Sequence, residues 1–410
     1  LVPGPIDSTH HETREITMED VVILSGARTP IGSFQGALSS LPAHQLGAVA
    51  LKAAIQRAGV DPEALEQVYL GNILTAGQGQ APARQATLGA GCPVSTGAVT
   101  LNKVCGSGMR TVMMGANDLR CGDFEIVAAG GMESMSRAPY LVPAARDGLR
   151  LGHGELIDSM IHDGLWDPYN DFHMGNCAEI CAKEYDFSRE QQDDFARESY
   201  QRARQATEDG IFADEIAPVE VPRRKRDPLV VDKDEEPFRV ELDKMSKLRP
   251  AFQKDGTVTA ANASKINDGA AALVLTTATH AKKLGAEPIA RVVAHSAHAQ
   301  KPEWFTTAPV AAARSTLERA GLKTSDIDLW EVNEAFAVVA LAFIQDLELD
   351  PARVNVYGGG VALGHPIGAS GARILVTLIN ALQRHKARYG CAAICLGGGE
   401  ATSMIVERMP

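Results

Sequence analysis

Two segments of this chain set a nucleophile and a base among small residues. In Asn102-Lys-Val-Cys-Gly-Ser-Gly108, Cys105 falls where an apolar strand gives way to a helix beginning near Ser107. Free N–H groups and the dipole at a helix N-terminus favour negative charge, so a thiolate is expected to be stabilised there. The flanking glycines leave room for a substrate carbonyl. The same segment would also suit a buried structural cysteine beside a packing turn. In Gly358-Gly-Gly-Val-Ala-Leu-Gly-His-Pro-Ile-Gly-Ala-Ser-Gly371, His365 is held between Gly364 and Pro366, which limits its backbone. A lone histidine is often structural, and only its relation to Cys105 decides otherwise.

Two further segments complete the set. Cys395-Leu-Gly-Gly-Gly399 reads as the end of the last strand, and free N–H groups in its glycine run could bind an oxyanion. Cys391, four residues earlier, reads as a strand-packing residue. Asn333-Glu-Ala-Phe336 ends another strand: Asn333 could fix a water or a histidine tautomer, whereas Glu334 reads as an ordinary exposed acid. Hydrolysis by a cysteine nucleophile needs one thiol and one base. A second thiol beside them makes sense where a proton must also leave carbon, as in an ester condensation.

What could bring these segments together is an internal repeat. The stretch from Ala54 to Leu70 matches that from Ser315 to Val332, with Ala58-Gly59 aligned to Ala320-Gly321. Each reads as an amphipathic helix ended by glycine, then a turn and a strand. The stretch from Ser107 to Glu133 pairs with that from Ser370 to Glu400, given a four-residue insertion. Two copies of an alternating unit predict two α/β halves about a pseudo-twofold axis, whose equivalent turns carry Cys105 and lie just after His365. The boundaries expected are an arm over residues 1–20, a first half over 21–136, an inserted loop or lid domain over 137–266 and a second half over 267–410. The insert carries a helix opened by the capping box Ser188-Arg-Glu-Gln191 and a charged loop with the run Arg223 to Arg226.

Composition narrows the function classes. The chain has 410 residues, 45% hydrophobic and 22% charged, ordinary values for a soluble protein of two or three domains. A net charge of -11 opposes nucleic-acid binding, although a local basic patch could hold a small anion. No run approaches the roughly 18–20 apolar residues of a membrane span. The polar, acidic first twenty residues resemble neither a signal peptide nor an Arg-rich transit peptide. Seven cysteines, an odd number, suggest a reducing compartment without disulfides, hence the cytoplasm, or the mitochondrial matrix of a eukaryote.

The segments NKVCGSGM, GGMESMSRAPY, HMGNCAE, GTVTAANASKINDGAAAL, NEAFA, GHPIGASGA and CLGGG occur in an order and spacing that resemble the thiolase family over nearly the whole chain after residue 20. The resemblance implies five-stranded halves, a loop domain over the active site and a homotetramer. It implies acetyl-CoA C-acetyltransferase chemistry with no required cofactor: two acetyl-CoA give acetoacetyl-CoA and CoA, or the reverse, with 2-methylacetoacetyl-CoA as a further substrate. By position, Cys105 resembles the acylated nucleophile and His365 the base that activates it. Cys395 resembles the residue that moves the carbon-bound proton. Asn333 resembles the holder of a water that, with His365, binds the enolate oxygen. The N–H groups of Cys105 and Gly397 resemble a second oxyanion hole. Leu165, His173, Met174, Phe252, Ser264, Ala335 and Phe336 match positions lining the pantetheine and acyl pocket. Two departures, Tyr357-Gly-Gly-Gly360 and Glu400-Ala401, touch no catalytic position.

Tyr200 and the segment TAANAS resemble the potassium-activated branch of that family. There, the resemblance implies, potassium is held by the tyrosine and the carbonyls matching Ala260, Ala261, Ala263 and Val361. Plain helix and loop packing would account for the same residues. A non-catalytic acyl-CoA or sterol-carrier-like binder, a cysteine hydrolase, a long-chain degradative thiolase and a ketoacyl synthase are the rival readings. The intact set of Cys105, His365, Cys395 and Asn333 weighs against a pure binder, and Cys395 weighs against hydrolase and synthase.

Overall fold

A computed structural model describes residues 19–410. The expected arm therefore lies outside the described residues except for Glu19 and Asp20. Asp20 is tied down: its carbonyl accepts from the N–H of Ala278, and its carboxylate pairs with Arg291 at 3.0 Å.

The first half contains β1 (Val21–Arg28), α1 (Ala43–Ala58), β2 (Gln67–Gly71), α2 (Pro82–Gly89), β3 (Gly97–Leu101), α3 (Ser107–Cys121) and β4 (Ile126–Ser134). The insert contributes α4 (Met174–Glu184), α5 (Arg189–Glu208) and an exposed hairpin of β5 (Val219–Arg223) and β6 (Arg226–Val231). The chain then continues through β7 (Asn267–Thr277), α6 (Ala278–Leu284), β8 (Ala290–Ala299), α7 (Ala308–Ala320), β9 (Leu329–Val332), α8 (Ala337–Asp346), α9 (Ser370–His385), β10 (Tyr389–Leu396) and β11 (Glu400–Arg408).

The main sheet runs β9-β10-β11-β8-β1-β7-β4-β2-β3. Its two arms mirror each other about a short antiparallel contact of β1 with β8, where Val22 meets Arg291 and Ile23 meets Ala290. On one side β2 pairs in parallel with β4 and β3; on the other, β9 pairs in parallel with β10 and, through a bridge from Trp330, with Val354. The repeated helices obey the same rule at their ends. Gly59 and Gly321 cap α1 and α7 in left-handed conformation, both at φ 65°. One expected boundary moves. Asn267–Thr277 hydrogen-bonds between β1 and β4, so it belongs to the first half, although it follows the insert in sequence. Its unbroken burial is what a strand paired on both edges and covered on both faces requires.

The halves are joined by α3 and α9, which lie buried against each other. Here glycine is dictated by contact. A Cβ on Gly108 would come within 2.7 Å of the Ala372 backbone nitrogen, and one on Gly371 within 2.4 Å of the Met109 nitrogen. A Cβ on Gly131 would stand 1.9 Å from the Gly368 carbonyl oxygen. Backbone thus packs on backbone where the repeats cross. The insert is docked by polar groups. Ser188 and Gln191 form the capping box of α5, and Arg28, fully buried, pairs with Glu215 at 2.6 Å and Asp234 at 2.7 Å.

The contact at Gly371 should be far less tolerant than the helix cap at Gly59. Gly59→Ala is expected to cost about 1–2 kcal/mol, the ordinary penalty of a left-handed residue, and to leave turnover intact. Gly371→Ala should lower the thermal midpoint further and reduce turnover, because relief requires the His365 turn to move. Equal losses of midpoint with full activity in both variants would refute this account of the interface.

Candidate active site

Cys105 sits in a turn built by its neighbours. Asn102 Oδ1 accepts from the N–H of Val104 at 3.0 Å, and the Lys103 N–H donates to Ser107 Oγ at 2.7 Å. Ser107 Oγ in turn donates to the Val104 carbonyl at 2.6 Å. These bonds hold the β-branched Val104 at φ 44°, a strained conformation one residue before the thiol. The departure at Glu400 acts on this turn, since its carboxylate pairs with Lys103.

The N–H groups of Cys105 and Gly397 both bond to the Cys105 sulfur. They lower the thiol pKa, but burial outweighs them and Glu133 adds to it, pushing the group up to about 12. The resting group is therefore a thiol, contrary to the expectation that the helix terminus would stabilise a thiolate outright. A base must take its proton.

His365 is arranged for that. Its N–H donates to Asn267 Oδ1 at 2.9 Å, and Gly364 before it has φ 107°, where a Cβ would collide with Asn267. Nδ1 lies 2.6 Å from Ser370 Oγ, whose own proton goes to the Pro366 carbonyl at 2.9 Å. The serine must then accept, which places a hydrogen on Nδ1 and leaves the Nε2 lone pair free. Nε2 has no protein partner among the described residues although the ring is buried. Burial, with Arg373 adding to it, depresses the imidazole to about 3, so it rests neutral.

Cys105, His365 and Gly397 line one cavity of about 280 Å³. All seven residues expected around pantetheine and acyl group, Leu165, His173, Met174, Phe252, Ser264, Ala335 and Phe336, line it too. Its walls are mostly apolar. His173 stacks on Phe252 at 4.8 Å and its Nδ1 accepts from the Gly175 N–H at 3.0 Å, which caps α4. Cys395 and Asn333 stand fully buried, outside the lining set. Burial above all raises the Cys395 pKa well beyond the ordinary value, and the nearby Cys105 thiolate opposes its ionisation further. Both polar atoms of the Asn333 side chain lack a protein partner among the described residues.

Several residues that shape the site were not singled out from sequence. Glu133 accepts from Asn72 Nδ2 at 2.7 Å and from the N–H groups of Ile73, Leu74 and Gly368 at 3.1–3.3 Å, tying the His365 turn to the first half. Glu334, far from exposed, is fully buried and accepts from Ser199 at 2.7 Å, Asn355 at 2.8 Å and the Val361 N–H at 3.1 Å. Glu133 follows Gly130 and Gly131 and Glu334 follows Asn333, and neither adjacency distinguishes a buried organiser from a surface acid. Met135, Phe305, Ile367, Ala263 and Ile266 add to the apolar lining, and Lys265 also borders the cavity. The run Arg223 to Arg226 forms the tip of the exposed hairpin, away from the cavity lining.

The potassium residues meet a different arrangement. Tyr200 is buried on α5, and its hydroxyl has no protein partner among the described residues. Two of the expected carbonyls are already engaged: Lys265 Nζ donates to Ala263 O at 2.7 Å and Val361 O at 3.4 Å. The same ammonium lies 5.5 Å from the centre of the Tyr200 ring. Ala261 is buried beside them, whereas Ala260 is exposed. Burial lowers Lys265 to about 8 while Glu236 and Glu334 oppose the shift, so the ammonium form still predominates at neutral pH.

Comparison with known proteins agrees with this geometry. Residues 21–279 match the model of the thiolase N-terminal domain, and residues 286–408 that of the thiolase C-terminal domain. Acetyl-CoA acetyltransferase B, mitochondrial, of Xenopus laevis is 54% identical over 394 residues, spanning 96% of this chain and 93% of that protein. Acetyl-CoA acetyltransferase of Pseudomonas aeruginosa is 50% identical, spanning 95% of this chain and 100% of its own length. The crystal structure of Acat5 thiolase from Ascaris suum in complex with coenzyme A superposes with a TM-score of 0.91 at 47% identity, covering 95% of this chain and 100% of that one. Two duplicated halves meeting at a cysteine and a histidine, together with matches that run the length of both halves, establish that this chain belongs to the thiolase family.

Proposed function

We propose that this chain is an acetyl-CoA C-acetyltransferase, which condenses two acetyl-CoA into acetoacetyl-CoA and CoA and runs the reverse thiolysis. The observation that carries the reading is a thiol, Cys105, and a neutral imidazole, His365, lining one apolar cavity, with a second buried thiol, Cys395, near enough to Cys105 for charge on one to oppose charge on the other. His365 Nε2 accepts the Cys105 proton as the sulfur attacks the thioester carbon. The N–H groups of Cys105 and Gly397 stabilise the oxyanion, each worth about 3 kcal/mol. CoA leaves as the thiol, taking the proton back from His365, and the acetyl group stays on Cys105.

The second half-reaction is the harder one, because a carbon acid must yield its proton. Cys395, having passed its own proton to His365, removes it as a thiolate from the methyl of a second acetyl-CoA. Asn333, whose buried amide has unfilled hydrogen-bonding capacity, holds a water toward the enolate oxygen beside His365. The enolate carbon attacks the acetyl carbonyl, and Cys105 departs as the thiolate, taking its proton from His365. Leu165, His173, Met174, Phe252, Ser264, Ala335 and Phe336 enclose pantetheine and acyl group. Homotetramer assembly belongs to the same reading. Loss of acetoacetyl-CoA enolate absorbance on mixing with CoA and the protein tests the activity; no loss would defeat it.

Two predictions separate the roles. His365→Asn should slow carbamidomethylation of Cys105 by iodoacetamide at least tenfold at pH 7–8, since a thiol pushed to about 12 has few thiolates without a base. The rate should recover as pH rises toward 10, and acetyl-CoA should protect the wild-type thiol. Peptide mass spectrometry showing equal labelling of variant and wild type at pH 7.5 would remove His365 as the base.

Cys395→Ser should still take an acetyl group from acetyl-CoA onto Cys105 while condensation and thiolysis fall by about a thousandfold or more, the scale of losing a general acid–base group. Intact-mass measurement follows the first, absorbance the second. If acylation and turnover vanished together in a folded variant, the division of labour between the thiols would be wrong.

A further inference from the structure

Lys265 brings a full positive charge into the junction of three pieces of chain. Ala263 belongs to the loop returning from the insert, Val361 lies four residues before His365, and Tyr200 lies on α5 of the insert. Its ammonium donates to the first two carbonyls and lies near the tyrosine ring, at the distances given above. The carboxylates of Glu236 and Glu334 balance its charge. Those carboxylates are themselves committed to the site: Glu236 accepts from Asn267 Nδ2 at 3.2 Å, and Asn267 Oδ1 receives the His365 N–H. Glu334 holds the Val361 N–H.

An alkali cation placed among Tyr200, Ala263 O and Val361 O would have to share those oxygens with an ammonium. At a separation of about 4 Å, two unit charges repel by about 4 kcal/mol at an effective dielectric constant of 20, which weak carbonyl coordination would have to overcome. The donor set therefore does not fit an added monovalent ion while Lys265 is in place. We infer that Lys265 is a built-in cation that takes the place of an exchangeable potassium ion, joining the insert to the His365 segment and making the enzyme indifferent to potassium. Lys265 is a positioning residue: it acts through the carbonyls of Ala263 and Val361 on the loops that carry Ser264 and His365. The inference rests on the thiolase reading proposed above.

The test is thiolysis of acetoacetyl-CoA by the full chain in potassium, sodium, ammonium and choline chloride at equal ionic strength. The wild type should keep kcat/KM within about twofold across the four salts. Lys265→Ala should lose at least tenfold in kcat/KM in choline chloride, mainly through KM, and recover at least fivefold in potassium or ammonium chloride. Calorimetry supplies a second readout independent of turnover: potassium, relative to choline, should raise the thermal midpoint of Lys265→Ala and leave that of the wild type unchanged. A wild type activated more than twofold by potassium would overturn the inference, as would a Lys265→Ala loss that no cation repairs. Should Lys265→Ala fail to fold, the wild-type salt comparison still decides. A wild type with no thiolysis in any salt would defeat the functional reading instead, and the calorimetric comparison would then judge the lysine alone.

Discussion

The site depends on one steric constraint, the close approach of two backbones where α3 and α9 cross. Gly108 and Gly371, equivalent in the duplicated halves, each leave no space for a Cβ against the other helix. Gly131 and Gly368 make a third contact of the same kind beside them. Since the turns carrying Cys105 and His365 lead directly into these helices, the distance between helices also sets the distance between nucleophile and base. A side chain at any of these glycines would widen both together.

Around that contact, the catalytic turns are held by buried polar groups rather than by apolar packing. Glu133 spans from the loop after β2 to Gly368, Asn267 holds the His365 backbone, and Glu334 ties Ser199 of the insert to Val361. Buried carboxylates cost much to desolvate, which is why Glu133 is pushed up to about 7. The return on that cost is direction, because a carboxylate receiving three or four N–H bonds fixes loops that carry no regular secondary structure. The same logic leaves the reactive groups under-satisfied. Among the described residues, His365 Nε2 and the Asn333 amide lack protein partners while most other buried polar groups are paired, and those are the atoms the proposed chemistry needs.

Burial also sets the protonation states. Cys105, Cys395 and His365 are all displaced toward their neutral forms, the thiols upward and the imidazole downward. A resting site of neutral groups avoids charge that nothing would compensate before substrate arrives. Charge then appears only on proton transfer, within reach of the N–H groups of Cys105 and Gly397.

Much of this was legible in the sequence. The repeat of the helix ending at Gly59 in that ending at Gly321 announced two halves, since a left-handed cap and an apolar period of a helix are local properties. Cys105, His365, Cys395 and Asn333 stood out because small residues flank reactive ones, and motif order supplied the pocket residues. Sequence could not decide which half receives Asn267–Thr277, since strand pairing is a long-range choice. It could not show Glu334 as a buried organiser, because exposure is a property of the assembled fold. Nor could it place the ammonium of Lys265: a lysine in a loop reads as solvated until tertiary packing closes carbonyls, an aromatic ring and two carboxylates around it. Residue chemistry and local periodicity were determined by the chain itself, whereas desolvation, and with it every pKa in the site, was decided only when distant segments met.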